Sequence, residues 1–192
     1  MQRRALNPWL LAAAIGGVLY PFAVYAGLTR SGLTFLRPWG LVAIGLILIG
    51  LRLFAMRRVA GHALPTGFAV AALVLVALLA LDGEIAAKAY PVVISLAVAA
   101  IFGCSLIWPP TVVERMARIR EPVLPPQAVA YTRGVTWLWF GFLLANAFVA
   151  AILGVWGTLS QWTLWTGLVS YLLMGALFLG ELTWRHHLRS RA

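Results

Sequence analysis

Side chains that could carry out chemistry are scarce in this sequence of 192 residues. It contains five carboxylates, three histidines and one cysteine. Asp82 and Glu84 are the only close acidic pair, and their oxygens could hold a divalent ion if phosphate groups supplied further ligands. Two carboxylates make a thin ligand shell, and Lys88 is near enough in sequence to neutralise one of them. We therefore expect a solvated loop at this point, with no metal site and no cofactor.

The histidines and the cysteine do not form a recognisable site either. His186 and His187 are adjacent, so on a helix they point about 100° apart and lack the i, i+4 spacing of a zinc-binding pair. They belong to a basic C-terminal tail that suits anionic lipid, together with Arg185, Arg189 and Arg191. Cys104 is the single cysteine of the sequence and lies inside an apolar run. An internal disulfide framework and a cysteine-based metal site are therefore excluded.

The composition indicates which solvent surrounds these few polar groups. Of all residues, 62% are apolar and only 10% are charged, and the mean hydropathy is +0.93. Ordinary soluble domains carry about a quarter charged residues. The apolar surplus is more than one small core can bury, so a lipid bilayer is the expected environment. The net charge of +10 would suggest nucleic acid only if the basic residues formed one patch, and they lie instead in short clusters between apolar runs.

Six apolar stretches are long enough, or nearly long enough, to cross about 30 Å of hydrocarbon as helices. They cover residues 8–28, 38–54, 65–81, 89–108, 135–153 and 163–181. None of them alternates between apolar and polar residues as the strands of a membrane barrel do. The sequence therefore predicts an all-α, polytopic membrane protein in which residues 1–192 form a single domain with six transmembrane helices.

The distribution of basic residues predicts the orientation, because Lys and Arg are retained on the cytoplasmic side. If the N-terminus is inside, twelve of the fifteen basic residues are cytoplasmic, and only Arg30, Arg37 and Lys88 are outside. Both termini are therefore expected to be cytoplasmic. The first apolar run resembles a secretory signal, but Pro21 and its bulky neighbours make a poor cleavage region, so we expect an uncleaved first helix.

The most distinctive segment is the predicted cytoplasmic loop 109–133, between the fourth and fifth spans. Thr111 and Glu114 have capping-box spacing, which predicts a helix that begins at Val112 and stops before Pro122. One side of this helix would carry Val112, Val113, Met116, Ala117 and Ile119. The other side would carry Glu114, Arg115, Arg118 and Glu121, and Arg120 departs slightly from the pattern. A short amphipathic helix on the membrane surface is the expected result.

This loop is the predicted recognition surface, with two interpretations left open. Glu114 and Arg118 are spaced to pair across one turn, which would leave the other basic residues for lipid headgroups. The alternative is a rigid platform for a soluble or peripheral partner. The candidate contact residues for either role are Glu114, Arg115, Arg118, Arg120, Glu121 and Arg133.

Polar groups inside the predicted spans are the other candidates, because each is costly in lipid unless it is paired or faces a cavity. Asn146 lies near the middle of the fifth span and is expected to hydrogen-bond to a neighbouring helix. Glu181 closes the sixth span and is spaced to form an ion pair with Arg185. A polar seam is predicted for Ser95, Thr166, Ser170 and Tyr171. If the helices enclose a transport path, Asn146, Tyr171 and Glu181 are expected to line it.

A little under half of the chain, from Leu106 to the C-terminus, resembles a known family. The family consists of poorly characterised multi-spanning inner-membrane proteins encoded in bacterial aryl-polyene (xanthomonadin-type) pigment clusters, beside acyl carrier proteins, ketosynthases, an AMP ligase and a lipid acyltransferase. The matching positions are Pro109, Pro110, Glu114, Arg115, Ala117, Arg118, Glu121, Pro122, Pro125, Pro126, Arg133, Thr136, Trp139, Asn146, Tyr171, Gly175 and Glu181. The resemblance implies a multi-pass protein of the bacterial inner membrane in a setting near acyl-chain synthesis, and it transfers no activity to any residue.

Three hypotheses about function follow. The first is a non-enzymatic membrane protein that scaffolds or assists an envelope acyl-lipid or aryl-polyene pathway. Its partners would be the phospholipid bilayer and an acyl carrier protein or a cluster ligase or acyltransferase, and its oligomeric state is left open. The second is a small lipid or polyene transporter. The third is a membrane-bound transferase that uses Asp82 with Glu84, or Glu114 with Glu121.

Overall fold

The computed structural model describes residues 8–29, 38–56, 63–119 and 121–189, and every regular element among them is helical. The elements are α1 (Pro8–Thr29), α2 (Pro38–Met56), α3 (Ala63–Leu81), α4 (Gly83–Ile107), α5 (Val112–Arg118), α6 (Pro126–Trp156), α7 (Leu159–Leu164), a π-helical turn (Trp165–Val169) and α8 (Ser170–Arg189). The all-α prediction is confirmed for this part of the chain.

Three of the described helical units are long and apolar enough to cross a membrane. They are α4, α6 and the continuous unit Leu159–Arg185, which joins α7, the π-helical turn and most of α8. Shorter apolar stretches lie within α1, α2 and α3. Large apolar side chains are exposed on several of these helices, such as Leu73, Phe148 and Leu172. This surface identifies the chain as a helical membrane protein, because water would not accommodate so much exposed hydrocarbon.

Two helices, α4 and α6, begin more than one turn before the predicted starts of their spans. Asp82 is the N-cap of α4, and its side chain accepts hydrogen bonds from the backbone N–H groups of Glu84 and Ile85 at 2.7 and 3.0 Å. α6 begins at Pro126, nine residues before the predicted span, so the end of segment 109–133 is helical. Proline suits the first position of a helix, because its missing N–H would have no partner there. The Pro125–Pro126 pair therefore carried a start signal for α6.

α4 is the central helix, and it packs against α2, α3 and α6. α1 packs against α2 and against α7 with the π-helical turn. Close approach of α2 to α4 depends on Gly45, because a Cβ atom there would lie 2.8 Å from Cδ2 of the Tyr90 ring. Tyr90 in turn lies against Tyr20 of α1, with ring centroids 4.3 Å apart.

A proline in α4 is compensated by a side chain from α1. Pro91 has no N–H, so it cannot donate to the carbonyl of Ala87 four residues earlier. The hydroxyl of Tyr20 donates to that carbonyl at 3.0 Å, and both residues are buried. In a membrane, backbone groups have no water to bond, so this contact supplies the acceptor with a donor.

Candidate functional site

The α5 helix forms where the sequence predicts it. Its N-cap is Thr111, whose Oγ1 accepts a hydrogen bond from the backbone N–H of Glu114 at 3.3 Å. It begins at Val112 and ends at Arg118, before Pro122. The Glu114 carboxylate accepts two hydrogen bonds from the Arg118 guanidinium, at 2.9 Å from Nε and 2.7 Å from Nη2. The predicted pair across one turn is therefore present.

The orientation of α5 differs from the amphipathic pattern. Glu114, which was expected on the exposed charged side, is only 5% exposed, whereas Met116 and Ile119 are about half exposed. The carboxylate tolerates this burial because its charge is held by a two-point contact with an arginine. Helical periodicity separates two sides of a helix, but the side that faces the protein depends on which neighbour it meets.

Further contacts attach α5 to the ends of its neighbours. The backbone N–H of Val112 donates to Ser105 Oγ of α4 at 3.1 Å, and that hydroxyl donates to the Phe102 carbonyl at 2.7 Å. α5 also packs against α6. Arg118 Nη1 donates to the Pro122 carbonyl, and Arg115 Nε donates to the Pro110 carbonyl, both at 3.0 Å. We call α5 with its flanking residues 109–125 the platform.

The candidate contact residues therefore have different surroundings. Glu114 and Arg118 hold the platform together, and Arg115 is hydrogen-bonded within it. Arg133 lies exposed on α6, with no hydrogen-bond or ion-pair partner among the residues that the structure describes. Glu121 is exposed at the end of the platform, and Arg120 lies outside the described residues.

A second feature is a cavity of about 360 Å³ lined by residues of α1, α3, α4, α6, the π-helical turn and α8, which we call the chamber. Asn146 of α6 lies in its wall. The Nδ2 atom of Asn146 donates to Ser95 Oγ of α4, and its Oδ1 atom accepts from Trp165 Nε1, each at 3.2 Å. The predicted hydrogen bond between helices is confirmed, and the same residue also faces a cavity.

The polar seam predicted from sequence is one wall of the chamber. Ser95, Thr166, Ser170 and Tyr171 all line it. Two of these hydroxyls bond back to their own helix, from Thr166 to the Trp162 carbonyl and from Ser170 to the Thr166 carbonyl. The π-helical turn widens the backbone at this point, and such turns are frequent at functional sites.

Glu181 lies elsewhere, beside a separate cavity of about 490 Å³ between α6 and α8. It accepts a hydrogen bond from the Tyr131 hydroxyl at 3.1 Å, and its Oε1 atom lies 3.4 Å from Arg185 Nε. The ion pair with Arg185 is therefore as expected. The two cavities share no lining residue, so Asn146 and Tyr171 are brought together and Glu181 is not.

The remaining acidic pair has local roles. Asp82 caps α4, and Glu84 forms an ion pair with Lys88 one turn along the same helix. Among the described residues, no three His, Cys, Asp or Glu side chains come close enough together to hold a metal ion. The side chains of His186 and His187 lie outside what the structure describes.

Sequence reasoning missed two residues of these sites. Trp165 completes the Asn146 contacts, and Tyr131 completes those of Glu181. The sequence analysis assigns no role to Trp165, and no local pattern predicts the π-helical turn that holds it. Tyr131 was assigned to a loop, although the proline start signal would have placed it on α6.

The fold and these sites define a helical membrane protein with a cavity between its helices and a short helix, α5, attached to the ends of α4 and α6. Comparisons with protein-family models, with curated proteins and with solved structures found no match. The resemblance to the aryl-polyene cluster proteins therefore stays a prediction.

Proposed function

We propose that this chain is a non-enzymatic, multi-pass protein of the bacterial inner membrane that scaffolds or assists an envelope acyl-lipid or aryl-polyene pathway. In this proposal α1, α2, α3, α4, α6 and the unit Leu159–Arg185 are the six crossings, with both termini in the cytoplasm. The excess of basic residues at the inner ends and the exposed apolar side chains of the helices support it. The platform then lies on the cytoplasmic face.

The observation that carries this proposal is the attachment of the platform. A buried carboxylate, a capping threonine and backbone contacts to α4 fix α5, whereas Met116 and Ile119 remain exposed. A surface held in one conformation loses little entropy when a partner binds. The exposed apolar side chains of the platform and the exposed Arg133 of α6 suit a partner that has both acidic and apolar contacts.

The partner that we propose is an acyl carrier protein, because such proteins are acidic as a class. Arg133 is the arginine best placed to attract one, since Arg118 is occupied by Glu114 and Pro122. Electrostatic complementarity of this kind raises the association rate and weakens with salt. A cluster ligase or acyltransferase is the alternative partner at the same surface.

We expect Arg133→Glu to lower the binding of a purified acyl carrier protein at least fivefold, because the substitution replaces an attractive charge by a repulsive one. Binding would be measured with the full-length protein in lipid nanodiscs, at low and high salt. Lys88→Glu also replaces a positive charge by a negative one, but near the start of α4, whereas the platform follows the end of that helix. This variant should leave binding unchanged. Equal binding by the Arg133 variant and the native protein would overturn the proposed docking role.

The contacts of the acidic residues weigh against the transferase alternative. Asp82 caps a helix, Glu84 is paired with Lys88, and Glu114 is buried against Arg118. Neither of the predicted carboxylate pairs is thus poised for acid–base work, which requires converging groups within reach of a substrate. The transport alternative gains support from the chamber, because it lies between the long apolar helices.

A further inference from the structure

The chamber has the size and position of a ligand site. Its volume of about 360 Å³ falls within the range of roughly 300–1,000 Å³ that is usual for small-molecule sites. It lies between the helices that are long enough to cross a membrane. Ligands could therefore reach it from the bilayer without passing through water.

The walls of the chamber exclude a charged ligand. Aromatic rings form one part of the wall, among them Phe68, Phe102 and Trp139. The polar part consists of hydroxyl, amide and backbone groups, and none of the described residues that line the chamber is charged. A charged group placed there would lose its hydration without gaining a counter-ion, which is strongly unfavourable. The ligand should therefore be uncharged and largely apolar.

Two donors at the polar wall are left for such a ligand. The Asn146 amide carries two N–H hydrogens, and only one is used on Ser95. The Ser95 hydroxyl accepts that bond, and its own hydrogen has no acceptor among the described residues. Because the two groups lie 3.2 Å apart, a single ligand oxygen can accept from both.

The position of these donors is held by the surrounding helices. Trp165 donates to Asn146 Oδ1, which fixes the orientation of the amide so that one of its N–H groups points to Ser95 Oγ. A carbonyl oxygen has two lone pairs and is suited to accept both hydrogen bonds, whereas a hydrocarbon leaves both donors without a partner.

We propose that the chamber binds one uncharged lipophilic molecule through a carbonyl oxygen, which accepts hydrogen bonds from Asn146 and Ser95 while the apolar chain lies along the aromatic wall. An ester of a long-chain acid has this chemistry. This proposal is independent of the proposed docking function, because it involves neither Arg133 nor an acyl carrier protein, so either function can fail without the other.

The test uses the full-length protein in nanodiscs and a photoreactive fatty-acid methyl ester as the probe. We expect light-dependent labelling of α4 and α6 peptides that flank the chamber. An unlabelled methyl ester should compete, whereas an alkane of equal length should not. This competition is measured on the native protein, so it remains informative even if a variant fails to fold.

Variants then locate the contact. Asn146→Leu and Ser95→Ala should each lower labelling at least fivefold, and Val98→Phe should lower it by filling the chamber. Thr183→Val removes a hydroxyl from α8 outside the chamber and should leave labelling unchanged. Equal competition by the alkane, or undiminished labelling of folded Asn146→Leu, would overturn the proposal.

Discussion

Replacing Tyr20 by phenylalanine is expected to lower the free energy of unfolding by about 2 kcal/mol, although only one oxygen atom is removed. The lost hydroxyl is the donor to the Ala87 carbonyl, and Pro91 cannot replace it. The carbonyl would be left buried and unpaired in a region without water. Unfolding of the purified protein by denaturing detergent in mixed micelles would measure the change.

A double-mutant cycle separates this mechanism from a general loss of packing. Pro91→Ala restores a backbone N–H that can donate to Ala87 within α4, so Tyr20→Phe should cost less than half as much in that background. Tyr25→Phe, which removes an exposed hydroxyl from the same helix, should have little effect. Equal costs of Tyr20→Phe in both backgrounds would show that the Ala87 carbonyl does not need the tyrosine.

The second large effect is expected at Glu114. Glu114→Ala removes both hydrogen bonds to Arg118 and empties a buried position, so α5 should detach from α4 and α6 more readily. Because Arg118 is partly exposed, its charge can return to water, and we expect about 2 kcal/mol of local stability to be lost. This corresponds to about a thirty-fold rise in local opening. Tryptic cleavage after Arg115 should accelerate accordingly.

Glu84→Ala is the matched control for that experiment. It also breaks an i, i+4 ion pair, but Glu84 is more than half exposed, so the expected cost is below about 0.5 kcal/mol. Cleavage after Arg115 should not change in this variant. If Glu114→Ala left the cleavage rate as it is in the native protein, the buried ion pair would not be what holds the platform.

Contacts within one or two helical turns could be predicted from the sequence. The cap at Thr111 and the pairs from Glu114 to Arg118 and from Glu181 to Arg185 all follow from spacings of three or four residues. Such spacings place side chains together in any α-helix. The predicted polar seam also depended only on which residue types fall inside apolar spans.

Contacts between distant segments could not be predicted in this way. Tyr131 meets Glu181 across 50 residues, and Asn146 meets Trp165 through a π-helical turn. These contacts depend on how α6 approaches α8 and the π-helical turn. The burial of Glu114 was missed for the same reason, because periodicity shows two sides of a helix and tertiary packing chooses between them.

Cysteine labelling can test whether the platform lies on the cytoplasmic face of a six-crossing membrane protein, as we propose. In a Cys104→Ser background, Val123→Cys and Ser160→Cys would be introduced one at a time, since both positions are exposed. Intact cells would be treated with a membrane-impermeant maleimide. The proposed topology predicts labelling of Ser160→Cys in intact cells and of Val123→Cys only after the inner membrane is opened. Labelling of Val123→Cys in intact cells would contradict it.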